Sequence, residues 1–446
     1  MNQTLNASLT SLFSWLRAWE SEGGFNGYII HRYNGRRLSL NNPTCWAQGP
    51  ICCGLLNLCK KDQNYENLLK NALTYQMTLL DPQSGKYRYC GHEDDRFSSL
   101  IHCALANEAL LEGYQYFYIY DETYASSLLN CVEKNINNYL LTLWNEKYGA
   151  FKFNDVDFYS KHSERFVANM NITFIYTLIL FSKITSTNKY EMYIEKTLSW
   201  FFQQQISSDN IYLDGGFTYQ QEENKGKNLQ NPVVIYNGII AEYMSKIYTI
   251  RPDSRLLGAI KKVKNYLYSN YDPETKLFFH DYVNDKLLKY PLFVAGSAFI
   301  LKGLHSMEQV LQKGDTKYID ITKEIIQTYQ YAHGGFPGFI GYNHSDNGRN
   351  NLFNHCETWE DIAPTTNWNG KMFEYLSTIA SLEKSIHVAP SLHKIRWNYF
   401  YREAPKNVLI VSWFPIKSIA VLFYKKIKIK PIFSFNIIDF YKKIKP

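Results

Sequence analysis

No stretch of about eighteen apolar residues free of charge occurs in the 446-residue chain, so no bilayer-spanning helix is expected. The first nineteen residues lack a basic segment leading into an apolar core. Leu5, Leu9, Leu12, Phe13 and Leu16 instead recur at helical spacing, as in an amphipathic helix rather than a secretion signal. Zinc-type Cys-x-x-Cys pairs are absent. Seven of the eight cysteines precede residue 132 and Cys52 adjoins Cys53, a pattern of small buried thiols rather than a disulfide framework. These absences together predict a cytoplasmic protein, and nothing implies a metal or other cofactor. A basic body is lacking too. Nine lysines and one acid between Pro405 and Pro446 contribute +8 to a net charge of +7, which leaves the remainder at −1. With no recognisable module either, a nucleic-acid partner is not expected.

What the chain does have is a repeat. An aromatic residue ends a tight turn six times: Gly23-Gly24-Phe25, Gly85-Lys86-Tyr87, Gly149-Ala150-Phe151, Gly215-Gly216-Phe217, Lys276-Leu277-Phe278 and Gly334-Gly335-Phe336. Successive aromatics lie 62, 64, 66, 61 and 58 residues apart, the mark of a repeat architecture. Between the turns the apolar spacing is helical, as at Tyr190, Tyr193, Ile194, Leu198 and Phe201. One helix is predicted before each turn, near 63–80, 123–143, 188–206, 252–270 and 315–331. A second follows a polar loop, near 98–117, 166–183, 232–248, 290–312 and 367–384. Asp121, Asp253 and Asp315 supply capping oxygens at the predicted starts. Glycine pairs permit positive φ and close backbone approach, and the aromatic plugs the gap between neighbouring hairpins. Six such hairpins close most economically into an all-α (α/α)6 toroid over residues 1–400.

Residues 401–446 read as a β-rich basic extension. Val408–Phe414 and Ile416–Tyr424 are β-branched and aromatic runs broken by Pro415. Lys425, Lys426, Lys428 and Lys430 there either guard a sheet edge or touch an anionic membrane surface.

All six polar loops of a toroid emerge on one face, and six of the eleven histidines fall in them. Loop two carries His92-Glu93-Asp94-Asp95-Arg96, where adjacent acids raise one another's pKa and supply a protonated carboxyl. The structural alternative is that Asp94 or Asp95 caps a helix beginning near Phe97. Loop six carries His355, Glu357, Trp359, Glu360 and Asp361, carboxylates interleaved with rings that suit a saccharide. Thr365, Thr366 and Asn367 after it are good caps for the last helix. Asp94 or Asp95 is the candidate general acid and Glu357, Glu360 or Asp361 its partner carboxylate. His92 and His355 are candidate bases or orienters. Arg96, Arg349, Trp46, Trp359, Asp157 and His344 are the candidate substrate contacts.

The repeated Gly-Gly-Phe turns resemble those of the six-hairpin glycosidase-like superfamily. The stretch from Gly334-Gly335-Phe336-Pro337-Gly338 through Trp359-Glu360-Asp361 to Trp368-Asn369 is similar to uncharacterised toroid proteins encoded with bacterial surface-polysaccharide genes. The resemblance implies a carbohydrate-active enzyme, a glycoside hydrolase or a lyase- or epimerase-like protein, working on a saccharide or surface glycoconjugate. Terpenoid cyclases and prenyltransferases are the second resemblance, since they share glycine-aromatic turns. Of their Asp-x-Asp-Asp motif, His92-Glu93-Asp94-Asp95 matches only the last two positions. Tryptophan-glutamine repeats are not evident, and the Cys-His-Gly pattern of lanthionine cyclases is absent. A non-catalytic glycan-binding toroid is the third reading.

Overall fold

The structure is a computed structural model and describes residues 3–25, 29–31, 37–39, 44–89, 98–155, 165–222, 231–283, 286–340 and 365–383. The predicted basic extension lies outside the described residues.

Twelve α-helices occur among the described residues, in six outer–inner pairs. The outer ones are α1 (Gln3–Arg17), α3 (Glu66–Thr78), α5 (Glu122–Asn138), α7 (Glu191–Phe202), α9 (Ser254–Ser269) and α11 (Lys317–Tyr329). The inner ones are α2 (Cys45–Cys59), α4 (Leu100–Phe117), α6 (Ala168–Thr185), α8 (Val234–Ile250), α10 (Ser297–Leu311) and α12 (Thr366–Ile379). Neighbouring inner helices pack in chain order, and α12 packs on α2 to close the ring, while α1 packs on α11 and α12 outside it. The predicted (α/α)6 toroid is therefore what the chain forms. Composition explains which helices go inside. Residues 168–181 of α6 are all buried, as befits a helix that is apolar on every side. Outer α9 and α11 bury a single stripe, Leu256, Ala259, Ile260 and Val263 in the first, Ile321, Ile325 and Ile326 in the second.

The aromatic turns are miniature hairpins. Phe25, Tyr87, Phe151, Phe217 and Phe278 pair with Glu20, Leu80, Trp144, Gln205 and Tyr271. All six plugs are buried. An amide on the following inner helix clamps the plug's backbone. Asn171, Asn237 and Asn369 each accept from the plug's N–H (2.7–2.8 Å) and donate to its carbonyl and to the carbonyl four residues upstream. Gln48 accepts from the Phe25 N–H and donates to the Gly23 and Ala72 carbonyls. The buried peptide groups of an irregular turn thus find partners that the ladder cannot supply.

The leading glycines act as predicted. Gly334 has φ +101°, and a Cβ there would lie 2.1 Å from the Ser11 carbonyl oxygen in α1. The sixth turn therefore seats directly on the first helix, and this contact closes the outer ring. Lys276 takes the positive φ (63°) in the fifth turn, where no glycine is present.

Candidate functional site

Each inner helix begins where its loop ends, so six helix N-termini gather around one mouth. Trp46 is the second residue of α2, half-buried, and its ring stacks on His102 from the third position of α4 (5.8 Å, 14° between planes). It also meets Trp368, the third residue of α12, edge-to-face at 5.4 Å. Tyr89 lies 5.3 Å from His102 and takes a hydrogen bond from Trp46 Nε1 at 3.4 Å. On the far side of Trp368 come Phe293 (5.2 Å), Phe339 (5.6 Å) and Phe299 (6.1 Å), and His280 stacks on Phe293. The rings form a continuous arc over α10, α12, α2 and α4.

The loops are stitched together around this arc. Leu292–Phe293 pairs with Phe339–Ile340, and Arg165–Val167 pairs with Gln220–Glu222. The N-termini of α12, α2 and α4 are joined by Thr44, which donates to Asn367 Oδ1 (3.0 Å), and by Cys45 Sγ and Ser98 Oγ 2.8 Å apart. The six described cysteines are free and buried.

Several buried polar atoms at the mouth have no hydrogen-bond partner among the described residues: Ser99 Oγ, His102 Nδ1, Asn169 Oδ1, Asn231 Oδ1, Thr365 Oγ1 and Thr366 Oγ1. Burial pushes the His102 imidazole down to about 3, so at neutral pH it is the uncharged ring.

One to two turns deeper the axis is charged. Glu242 of α8, fully buried, lies 2.9 Å from Lys371 of α12, 3.1 Å from Lys302 of α10 and 2.8 Å from Lys246. Glu374 pairs with Lys302 and, at 2.8 Å, with Lys371. Glu108 of α4 pairs with Lys246 and accepts from the Tyr243 hydroxyl. Three cations thus balance three carboxylates. Burial pushes the Lys371 ammonium down to about 8 even with Glu242 beside it. Burial alone would raise the Glu242 carboxyl, but Lys246, Lys302 and Lys371 hold it well below the usual range.

Of the residues proposed from sequence, Trp46 is placed at the mouth. His92, Asp94, Asp95, Arg96, Asp157, His344, Arg349, His355, Glu357, Trp359, Glu360 and Asp361 lie outside the described residues. Ser99 occupies the N-cap of α4, which begins at Leu100, so neither Asp94 nor Asp95 is that cap. Thr365 is the N-cap of α12 but makes no side-chain capping bond. Sequence reasoning overlooked His102, Trp368, Phe293 and Asn169 as site residues because it searched the loops. The signal lay in the helix starts, where Trp and amide residues replace the usual acids. Among the described residues no group of three His, Cys, Asp or Glu side chains is placed to hold a metal ion.

No protein-family model matches the chain, and no curated protein matches it in sequence. Its fold is that of the six-hairpin glycosidase-like toroids. A cellobiose 2-epimerase from Bacillus thermoamylovorans superposes with TM-score 0.64 at 10% identity, over 85% of this chain and 100% of that one. A D-mannose isomerase gives 0.60 at 13% identity, over 84% and 96%. An unsaturated glucuronyl hydrolase specific for heparin gives 0.58 at 14% identity, over 84% and 96%.

Proposed function

We propose that the chain is a carbohydrate-active enzyme whose saccharide binds at the mouth of the inner ring. The observation that carries this reading is the arc of Trp46, Trp368, His102 and Tyr89, flat rings bordered by unspent hydroxyl and amide groups. A pyranose presents an apolar face to such rings and polar edges to such groups. Similarity in fold to an epimerase, an isomerase and a hydrolase of sugars supports the same reading. The axis beneath the arc favours it over isoprenoid cyclisation. Lys302, Lys371, Glu242 and Glu374 fill the bore where a cyclase needs a dry apolar cavity.

The chemistry is acid–base. Asp94 or Asp95 acts as general acid, and Glu357, Glu360 or Asp361 as the partner carboxylate. His92 or His355 serves as base or orienter. Arg96, Arg349, Trp359, Asp157 and His344 hold the substrate. The protein is cytoplasmic in this reading, and no described helix is long and apolar enough to cross a membrane. Incubation with a panel of mono- and disaccharides, analysed by chromatography of the products, tests the enzyme reading. Asp95→Asn and Glu357→Gln are each expected to lower kcat about 100-fold. Wild-type turnover by both variants contradicts the paired-carboxylate mechanism.

A further inference from the structure

On the face away from the mouth, the end of each inner helix turns into the next outer helix. Four of the five such connections among the described residues carry charged or short polar side chains, among them Lys60, Lys189, Asp253 and Lys313. The fifth, between α4 and α5, reads Tyr118-Ile119-Tyr120-Asp121, and its first three residues are 49%, 87% and 53% exposed. They are three of the five large apolar side chains exposed among the described residues. A contiguous run of this kind marks an interaction surface, where single exposed rings would not.

The charge carried by this part of the chain is of one sign. From Phe97 to Glu133 there are five acids and no lysine or arginine, although the chain holds 48 of them. Lys70 reaches in from α3 and shows how the patch takes a cation. Its Nζ bonds Asp121 Oδ2 at 2.6 Å and lies 4.7 Å from the centre of the Tyr124 ring. A carboxylate and a tyrosine face hold one ammonium between them. The same groups recur at Tyr114, Tyr118 and Glu122. The two rings lie 5.1 Å apart at 31°, and Glu122 is exposed. Burial, and after it the neighbouring Tyr118 and Glu122, push the Tyr114 hydroxyl up. Among the described residues no lysine or arginine lies over either ring. Tyr116 and Tyr120, by contrast, both donate to Glu66 (3.5 and 3.2 Å).

We propose that Tyr114, Tyr118 and Glu122 form a docking site for a lysine- or arginine-bearing segment of a partner protein, with Ile119 meeting its apolar part. The incoming cation lies on the ring faces and pairs with the Glu122 carboxylate, as Lys70 does with Tyr124 and Asp121. A twofold contact between two copies of this face would instead set like charges against each other. The site lies away from the mouth and is independent of the saccharide reading.

Fluorescence anisotropy of labelled octa-arginine, octa-lysine and octa-glutamate with the full chain tests it. The two cationic peptides are expected to bind and octa-glutamate not to. Tyr118→Ala and Glu122→Gln, both at exposed positions, should each weaken the cationic peptides about threefold or more. Tyr118→Phe keeps the ring face and should bind as the wild type does. Absence of cationic binding, or octa-glutamate binding as tightly, overturns the proposal. Wild-type affinity in either Tyr118→Ala or Glu122→Gln places the cation elsewhere on the chain and overturns it. An equal loss in Tyr118→Phe and Tyr118→Ala makes the hydroxyl the contact and overturns it too. A dimer in sedimentation that Tyr118→Ala dissolves assigns the surface to a second copy, again against the proposal.

Discussion

His102 shows how burial sets both the chemistry and the pH response of one residue. Its imidazole is neutral because Trp46 and Tyr89 exclude water from it, and burial holds its pKa at about 3 against an ordinary value of 6.5. The unfolded chain therefore binds this proton through the intervening range while the folded chain does not. Stability falls as pH drops from about 6.5 towards about 3, with a slope of up to ~1.4 kcal/mol per pH unit for one proton. His333, half-buried and pushed down to about 4 by desolvation, adds to the same slope. Glu242 has the depressed pKa of a paired carboxylate, so its contribution is lost only below about 4.5. Urea unfolding between about pH 6.5 and 4.5 thus isolates the histidines. His102→Gln is expected to remove up to one proton from the slope; an unchanged slope would show that His102 titrates normally.

At the scale of elements, the turn is the unit that both spaces and fastens the hairpins. Gly334 illustrates it, because its positive φ and the 2.1 Å approach to Ser11 leave no room for a side chain. Gly334→Ala is expected to cost ~3 kcal/mol or more, from φ strain and the displacement of α1. Gly258, in the middle of α9, is the control, since nothing lies within 4 Å of a Cβ there. Gly258→Ala should stabilise by ~0.5–1 kcal/mol through helix propensity. Chemical denaturation of the two variants measures the contrast, and equal effects would deny the turn its structural role.

The turns and the outer helices were the legible part of the sequence. Asp121 and Asp253 cap α5 and α9 as their positions suggest, and α11 spans 317–329 within the predicted 315–331. The start of α10 was less so. Predicted from 290, it begins at Ser297, because Leu292–Phe293 is drawn into a ladder with Phe339–Ile340 that no local pattern announces. The amide clamps were invisible for the same reason. Asn171 and Asn237 lie twenty residues from the turns they fasten and read locally as ordinary polar residues of a helix. The site was legible only as a face. The arc joins residues from four hairpins, and the pairing of Trp46 with Trp368 spans more than three hundred positions.

At the scale of the whole molecule, closure creates two layers on the axis among the described residues: rings and amides at the inner-helix starts, and a balanced set of lysines and glutamates below. The charged layer ties α4, α8, α10 and α12 together, and its integrity depends on balance. Removing one cation strands buried carboxylates. Lys371→Met is expected to destabilise by about 3–5 kcal/mol, and adding Glu374→Gln to restore part of the loss by returning the layer to neutrality. Additive losses in a double-mutant cycle would mean that the two residues do not interact energetically.

The saccharide mouth is the central claim, and the most direct measurement is sugar affinity of the full chain with and without its stacking ring. Titration of mannose or cellobiose into the wild-type protein should give saturable binding. Trp46→Ala should weaken it by about tenfold or more through loss of a stacked ring, measured at a temperature where the variant remains folded. Saturable binding that Trp46→Ala leaves intact, or no binding by the wild type, would contradict the account.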